Sequence, residues 1–260
     1  MVSIVIPTVG RPDELAATLE VLAREADWLI SEVLVVVDGQ LNRTESAMLC
    51  SWEKVRTVPL GQHGGVVECR NIGAQQATSK TLVFLDDDIH VTPDWAVAIS
   101  DAVVSGAAVV TGPVTARDTG HISQARELRY QQRYKRLRDG DCVPFLAGGN
   151  TLIDRSVFLA AGGFPNGAVG TDNQLAKILR DKSIPVEFRW GMRVSHRHSR
   201  GFGNAVRCAW MAGRESARQK YTAPFGVPAI DWSSADRVTA SALNVVLWVT
   251  NVLGRVLPIR

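Results

Sequence analysis

Short runs of β-branched residues alternate with helical patterns up to residue 111, and this alternation constrains the fold more than any other feature. Five runs predict buried strands, at 2–6, 32–37, 55–58, 81–85 and 108–111. The intervening helices begin at Pro12, Val66 and Pro93, and proline suits the first turn of a helix. Because parallel strands need crossover connections, this alternation predicts an α/β fold with a mainly parallel sheet flanked by helices.

Beyond residue 112 the pattern is less regular and more basic. The predicted elements are a basic helix over 124–139, a strand within 143–153 that contains Gly148 and Gly149, a helix that begins at Thr171, and two helices over 203–220 and 235–256. We therefore expect one domain over residues 1–200, followed by a C-terminal helical extension over 201–260.

Acidic residues directly follow two of the predicted strands. Asp38 comes after the second strand, and Asp86, Asp87 and Asp88 come after the fourth. Because ligands bind at the carboxyl ends of parallel strands, these side chains should meet at one edge of the sheet. In an extended chain Asp86 and Asp88 would face one site and Asp87 another. Adjacent carboxylates repel one another, so the cluster is either a solvated acidic turn or a site for Mg²⁺ or Mn²⁺.

The net charge of +3 is too small to indicate nucleic-acid binding. Basic residues nevertheless crowd into 126–138 and 189–220. The first of these stretches carries Tyr130 and Tyr134 one helical turn apart. It either binds an acidic acceptor or anionic lipid headgroups, or it is a solvated face whose tyrosines pack inward.

Cysteine content and apolar runs suggest a compartment. Four cysteines without a CxxC pair indicate free thiols rather than a zinc site. The N-terminal run stops at Pro7 and lacks a basic start, so we expect no secretory leader and a reducing, cytoplasmic compartment. The stretch 243–257 is interrupted by two asparagines and an arginine, which predicts a helix that does not span a membrane. Such a helix lies on the inner face of a membrane, packs against the domain or contacts a second subunit.

Six short motifs carry a family resemblance. They are Ser-Ile-Val-Ile-Pro-Thr at 3–8, Val-Val-Val-Asp-Gly at 35–39, Arg-Asn-Ile-Gly at 70–73, Phe-Leu-Asp-Asp-Asp at 84–88, Gly-Gly-Asn at 148–150 and Gly-Gly-Phe at 162–164. In this order they resemble the family 2 glycosyltransferases of the GT-A fold, from residue 2 to about residue 200. The resemblance implies a Rossmann-like nucleotide-diphospho-sugar transferase with a donor-binding half over 1–112 and an acceptor half over 113–200.

The same resemblance implies a metal-dependent transfer of a sugar from a nucleotide sugar, expected to be UDP-linked, to an acceptor hydroxyl. The implied donor-site residues are Pro7, Thr8, Asp38, Arg70, Asp86, Asp87, Gly148 and Gly149. Pro7 and Thr8 would lie against the nucleobase, and Asp38 would accept a hydrogen bond from it. Glycine lets a ligand approach the backbone closely, which suits Gly148 and Gly149 to the sugar pocket.

Structural alternatives exist for two donor-site residues, because Asp38 also suits a turn and Arg70 also suits an ion pair within the fold. The implied ligands of Mn²⁺ or Mg²⁺ are Asp86, Asp88 and His196, and His198 is the competing histidine.

Asp172 stands where the family carries a Glu-Asp pair, whose Asp is the catalytic base of inverting members. Thr171 replaces the Glu, which is a departure from the family pattern. Thr171 and Gln174 have the spacing of a capping box, which predicts a helix N-terminus with Asp172 in its first turn. There the helix dipole would favour the ionised carboxylate, as a base requires.

Two other functions stay open. A sugar-1-phosphate nucleotidylyltransferase would carry a glycine-rich loop with Thr-Arg after the first strand, and here residues 7–12 read Pro-Thr-Val-Gly-Arg-Pro. An inactive nucleotide-sugar-binding protein would be consistent with Thr171. The expected partners are a nucleotide-sugar donor and a glycan, lipid-linked or small-molecule acceptor, with no nucleic acid. A peripheral membrane contact and a homodimer are both left open.

Overall fold

The computed structural model describes residues 1–39, 52–61, 63–167, 170–197, 201–218, 228, 231 and 233–257. The strands are β1 Val2–Thr8, β2 Ile30–Val37, β3 Val55–Pro59, β4 Thr81–Leu85, β5 Ile89–Val91, β6 Val109–Thr111, β7 Val114–Ala116, β8 Asn150–Asp154, β9 Glu187–Phe188 and β10 Val194–His196. The helices are α1 Pro12–Ala26, α2 Gly65–Gln76, α3 Pro93–Val104, α4 His121–Tyr134, α5 Arg155–Ala160, α6 Thr171–Asp181, α7 Phe202–Arg218 and α8 Ala235–Val256, with a 3-10 turn at Asp27–Leu29.

The seven-stranded sheet has the order β3-β2-β1-β4-β8-β6-β9. Strands β3, β2, β1 and β4 are parallel, whereas β8 runs antiparallel to both β4 and β6. The α/β class and the mainly parallel sheet predicted from the sequence are therefore confirmed. One prediction was wrong in detail, because Gly148 and Gly149 precede β8 instead of lying within it.

The register of the sheet brings its acidic strand ends together. Thr8 at the end of β1 pairs with Val37 at the end of β2, and the Asp38 N–H donates to the Thr8 carbonyl at 2.8 Å. A second, three-stranded sheet has the order β5-β10-β7. In it His196 pairs with Ile89, the residue that follows the three aspartates. The small sheet thus carries His196 to the same edge.

The core lies on both faces of the large sheet. Alternate residues of β1 point to opposite faces, so Ile4 and Ile6 pack with α1 and α3, while Val5 packs towards α2. The strands in the middle of the sheet are buried on both faces, which explains their continuous apolar runs. Each fully buried aliphatic side chain contributes roughly 1.5–3 kcal/mol to stability. The sheet is therefore a rigid base for its carboxyl edge.

The basic helix α4 is shorter than predicted and ends at Tyr134. Tyr134 is buried, and its ring stacks on Tyr130 with centroids 6.1 Å apart. Tyr134 therefore packs inward, as one of the two alternatives predicted, whereas Tyr130 is half-buried. The pKa of Tyr134 is raised by burial, so its hydroxyl stays neutral.

The C-terminal helices pack on each other and on α4. A Cβ at Gly213 of α7 would overlap the Asn251 carbonyl of α8, so only glycine permits this close crossing. Asn244 of α8 donates its side-chain N–H to the Ala125 carbonyl of α4 at 2.6 Å. Of the three alternatives for residues 243–257, packing against the domain is the one observed. The extension thereby supports α4.

Two further observations concern the compartment. None of the described helices combines the length and the apolar content that a membrane crossing would require. Cys69, Cys142 and Cys208 form no disulfide, and Cys50 lies outside the described residues.

We expect Gly213→Ala to destabilise the protein by about 1–3 kcal/mol, because the added methyl group must push α7 away from α8. Chemical denaturation would measure the loss. Gly203→Ala on the same helix is the matched control, since a Cβ there meets nothing within 4 Å. Equal stability of the two variants would contradict the proposed close crossing.

Candidate functional site

The carboxyl ends of β1, β2 and β4 border a cleft made of two adjoining cavities. The first has a volume of about 240 Å³ and the second about 350 Å³, and both are lined by Asp86 and His196. The donor-site residues, metal ligands and base that the sequence predicts all line one or both cavities. The first cavity is lined by Pro7, Thr8, Asp38, Asp86, Asp87, Asp88 and His196. The second cavity is lined by Arg70, Asp86, Gly148, Gly149, Asp172 and His196. The tertiary structure therefore brings together residues that lie up to 189 positions apart in the chain, from Pro7 to His196.

The three aspartates occupy the turn between β4 and β5. Asp86 Oδ2 and Asp88 Oδ1 lie 3.8 and 3.0 Å from His196 Nε2, whereas Asp87 turns the other way and accepts a hydrogen bond from Thr8 Oγ1 at 2.7 Å. Asp86 and Asp88 both approach His196, as predicted, but all three aspartates line the first cavity, and they lie in a turn and not in an extended segment. Burial raises the pKa of Asp87 despite the bond from Thr8.

Arg11 is a cleft residue that the sequence reasoning did not assign. It forms an ion pair with Asp87, and its Nη1 donates to Asp88 Oδ2 at 3.2 Å. The sequence did offer a signal for this role, since Arg11 is a basic residue just after the first strand, on the sheet edge where the aspartates were expected. Arg11 therefore partly neutralises the acidic cluster.

The side chains of Asp86, Asp88 and His196 have the chemistry of ligands for a divalent cation. Asp88 Oδ1 is buried and accepts no hydrogen bond of good geometry, and its nearest charged neighbour is His196 Nε2 at 3.0 Å, with which it forms an ion pair when the imidazole is protonated. Although burial opposes it, the pKa of Asp88 is lowered by His196 and Arg11, and the pKa of His196 is raised by Asp88 and Asp86. An ionised, unsatisfied carboxylate oxygen beside an imidazole matches the donors that Mn²⁺ and Mg²⁺ accept.

The described residues contain no group of three or more His, Cys, Asp or Glu side chains already arranged around one metal position. The predicted ligand set of Asp86, Asp88 and His196 thus stays a prediction, and His198 lies outside the described residues.

Asp38 stabilises the start of α2. Its two carboxylate oxygens accept the N–H groups of Gly64 at 2.9 Å and Gly65 at 3.1 Å, just where the helix begins. His63 Nδ1 lies 3.5 Å from the same carboxylate. The positive end of a helix dipole favours an acidic residue at this position. The contact of Asp38 with a nucleobase stays a prediction, and its position in the wall of the first cavity is compatible with it.

Arg70 is held by the fold on two sides. Its Nη2 donates to Asp86 Oδ1 at 2.6 Å, and its guanidinium lies over the Phe164 ring at 5.3 Å. The ion-pair alternative for Arg70 is therefore observed, and Arg70 also faces the second cavity. Its contact with a nucleotide stays a prediction.

Gly148 and Gly149 allow the protein's own side chains to approach the backbone closely. A Cβ at Gly149 would overlap the carboxylate of Asp86, and one at Gly148 would lie 2.8 Å from Arg70 Nη1 and 3.3 Å from Asp172 Cβ. The glycines are thus required for the packing of the site, in addition to any contact with a sugar.

Asp172 lies in the first turn of α6, as predicted, but the predicted capping box is wrong. Gly170 is the N-cap, with a left-handed φ of 74°, and no side chain caps the helix. Thr171 is instead the first helical residue and is buried. The turn at Gly170 replaces the cap, because glycine adopts this conformation without a steric cost.

The environment of Asp172 also reverses a prediction. Desolvation raises its pKa, although the Asn173 N–H donates to Oδ1 at 2.9 Å and Arg70 and Arg133 lie nearby. The helix dipole was expected to favour the ionised form, but the surrounding protein outweighs it. A raised pKa brings a carboxylate closer to the range in which it acts as a general base.

Comparison with known proteins relates the chain to a family. The family described as glycosyl transferase family 2 matches residues 3–160. Human polypeptide N-acetylgalactosaminyltransferase 14 is 28% identical over 170 residues, which are 57% of this chain and 31% of that protein. A putative polypeptide N-acetylgalactosaminyltransferase 9 of Drosophila melanogaster is 24% identical over 174 residues, 56% of this chain and 27% of that protein. The chain thus spans less than a third of the length of these relatives.

Two solved structures resemble the fold closely. A mannosyltransferase from Pyrobaculum calidifontis in complex with GDP-Man and Mn²⁺ has a TM-score of 0.67 at 15% identity, over 98% of this chain and 71% of that chain. GalNAc-T7 with UDP, GalNAc and Mn²⁺ has a TM-score of 0.62 at 17% identity, over 76% of this chain and 43% of that chain. At these identities the likeness shows the fold alone, and the predicted GT-A fold is confirmed.

We expect Asp172→Asn to raise the melting temperature at about pH 8. Because the pKa of Asp172 is raised on folding, the native state binds more protons than the unfolded state, and stability falls as pH rises through that window. The neutral amide removes this penalty, so the gain should shrink towards about pH 4.5, near the pKa of an unfolded Asp. Differential scanning calorimetry would measure both values.

Asp181→Asn is the matched control for this measurement. Asp181 lies on the same helix, is exposed and has a pKa lowered by Lys177, so its replacement should not stabilise the protein. If Asp172→Asn melted at or below the wild-type temperature at about pH 8, the desolvation of Asp172 would be refuted.

Proposed function

The chain belongs to glycosyl transferase family 2, and on that premise we propose that it transfers a sugar from a nucleotide diphosphate to an acceptor hydroxyl with the help of a divalent cation. The observation that carries the proposal is the buried, unsatisfied Asp88 Oδ1 at the edge of the cleft that Asp172 borders on its other side. The Asp88 carboxylate suits a ligand of a cation, and the Asp172 carboxylate suits a general base.

The first cavity suits the nucleotide. It lies at the carboxyl ends of parallel strands, where α/β folds bind nucleotides, and Pro7, Thr8 and Asp38 form its wall. Pro7 offers an apolar ring for a base, and Asp38 an acceptor for a base N–H. Uracil, with one such N–H, is the base we propose, so the donor would be a UDP-sugar. The nucleotide of one solved neighbour is UDP and that of the other is GDP-linked, which leaves the base to experiment.

Asp86, Asp88 and His196 would hold Mn²⁺ or Mg²⁺. The presence of Mn²⁺ in both solved neighbours supports this assignment. Such a cation, when bound, would neutralise the diphosphate and make it a better leaving group. Arg70 and Gly149 fix the position of Asp86, so they would determine where the diphosphate lies.

Asp172 would act as the base in a single displacement. Its carboxylate takes the proton of the acceptor hydroxyl, and that oxygen forms a bond to the anomeric carbon. The bond from the anomeric carbon to the diphosphate oxygen breaks at the same time, and its electron pair leaves with the diphosphate. Attack from the side opposite the leaving group inverts the anomeric configuration.

The donor can be identified by thermal stabilisation. We expect one sugar nucleotide among UDP-, GDP- and dTDP-sugars, UDP-linked in our proposal, to raise the melting temperature in the presence of Mn²⁺. A ligand at 100 times its Kd stabilises a protein by about 2.7 kcal/mol. Asp88→Asn should abolish the effect of Mn²⁺. Arg136→Ala, an exposed change outside the cavity walls, should retain it.

Stabilisation by none of these donors would contradict the proposed function. Stabilisation that is the same with EDTA as with Mn²⁺ would contradict the metal assignment alone.

We expect Asp172→Asn to reduce transfer by at least about 100-fold, the lower range for general-base catalysis, while donor affinity stays within about twofold of wild type. Product formation and donor Kd, measured on the same preparation, would test this. The anomeric configuration of the product, determined by NMR, is an independent readout. Retained activity, or a product with the donor's configuration, would refute Asp172 as the base of a single displacement.

The cellular setting also stays a proposal. The second half of α8 exposes the apolar side chains Val246, Val249, Leu253 and Val256. This is the surface at which the predicted membrane-surface or homodimer contact would form. Cosedimentation with anionic vesicles and analytical ultracentrifugation distinguish the two. The cytoplasmic location rests on the sequence alone.

A further inference from the structure

The second cavity has a charged wall that the transfer chemistry does not use. Its volume of about 350 Å³ is in the range of small-molecule sites. Asp172 and Gly148 form one side, and Arg126, Tyr130 and Arg133 of α4 form another. If the proposed function holds, the acceptor hydroxyl must enter here, because a base has to lie within hydrogen-bond distance of the proton it removes.

The wall carries an excess of positive charge at the acceptor end. Its described lining includes three arginines and two aspartates, and Arg70 pairs with Asp86 at 2.6 Å. Arg126 acts electrostatically on His196, whereas Arg133 acts on Asp172. Arg126 and Arg133 of α4 therefore act on the wall of the cavity from the predicted metal ligand His196 to Asp172. Their charge favours a negatively charged occupant of the cavity.

Arg133 is also held in place by the rings around it. Residues 126 and 133 are two helical turns apart and therefore on the same face of α4. The Arg133 guanidinium lies over the rings of Tyr130 at 5.2 Å and Phe145 at 4.7 Å. From behind, α8 fixes α4 through the bond from Asn244 to the Ala125 carbonyl. A guanidinium that packing has already ordered loses little entropy when it binds an anion.

We infer that the acceptor carries an anionic group, a phosphate or a carboxylate, which Arg133 and Arg126 bind beside Asp172. The inference rests on the proposed function and adds the chemical class of the acceptor. The guanidinium groups bind the anion through charge-assisted hydrogen bonds and thereby orient the neighbouring hydroxyl towards the base. Neutral acceptors would lack this contact.

The test is calorimetric titration of the full chain saturated with UDP and Mn²⁺, so that the diphosphate position is filled. The probes are glycerol 3-phosphate, glucose 6-phosphate and glucuronate, compared with glycerol and glucose. We expect at least one anionic probe to bind about 10-fold or more tightly than its neutral counterpart, as a hydrogen bond to a charged group allows. The phosphate and carboxylate probes distinguish the two kinds of anion.

The variants locate the binding group. Arg133→Ala and Arg126→Ala should each abolish most of this discrimination and leave the UDP affinity within about threefold, while Arg133→Lys should keep part of it. Arg136→Ala, which removes the same charge from an exposed position, should keep all of it. Melting temperatures show whether each variant is folded.

Two outcomes would overturn the inference. One is equal binding of anionic and neutral probes by the wild type. The other is an arginine variant whose loss falls on UDP affinity, since that would assign the arginines to the diphosphate. A chain that binds no UDP with Mn²⁺ would refute the proposed function and this inference together, whereas UDP binding without anion discrimination refutes this inference alone.

Discussion

The charge balance at the carboxyl edge of the sheet is the constraint on which the rest of the site depends. β4 ends in three aspartates, and Arg70 from α2 pairs with the first while Arg11 from the β1–α1 loop pairs with the other two. In each pair one side chain is buried and the other is about 30% exposed, so removing the exposed partner would leave a desolvated charge without its counter-ion. The positions of β1 and α2 relative to β4 are therefore coupled to the site, in which one buried carboxylate oxygen, Asp88 Oδ1, accepts no hydrogen bond and lies 3.0 Å from His196 Nε2.

Close backbone packing links this acidic edge to the base. Gly148 and Gly149 lie between Asp86, Arg70 and Asp172, and any side chain at the glycines would displace one of the three. The distance between Asp86 and Asp172 is thereby set by the tight turn that precedes β8. Preorganisation of this kind is what a displacement reaction needs, since small errors in position are costly in rate.

Local pattern was sufficient where a single element determines the outcome. The bounds predicted for β4 and α8 agree with the structure, because continuous apolar runs and caps are properties of the segment itself. The capping box at Thr171 failed because a left-handed Gly170 makes the cap unnecessary. The pKa of Asp172 shifts in the opposite direction to the prediction, because desolvation comes from neighbours that are distant in sequence. Arg11 was missed for the same reason, since its partners lie 76 and 77 positions away.

By itself the sequence determined the α/β class, the location of the aspartates at strand ends, and the family. Periodicity and the order of short motifs are properties of local stretches of sequence. Only the tertiary structure decided which buried carboxylate oxygen accepts no hydrogen bond and that Arg126 and Arg133 of α4 line the same cavity as Asp172. It also decided that the C-terminal helices pack behind α4. These properties depend on contacts between segments that are distant in the chain, and no local pattern encodes which polar groups burial will leave unsatisfied.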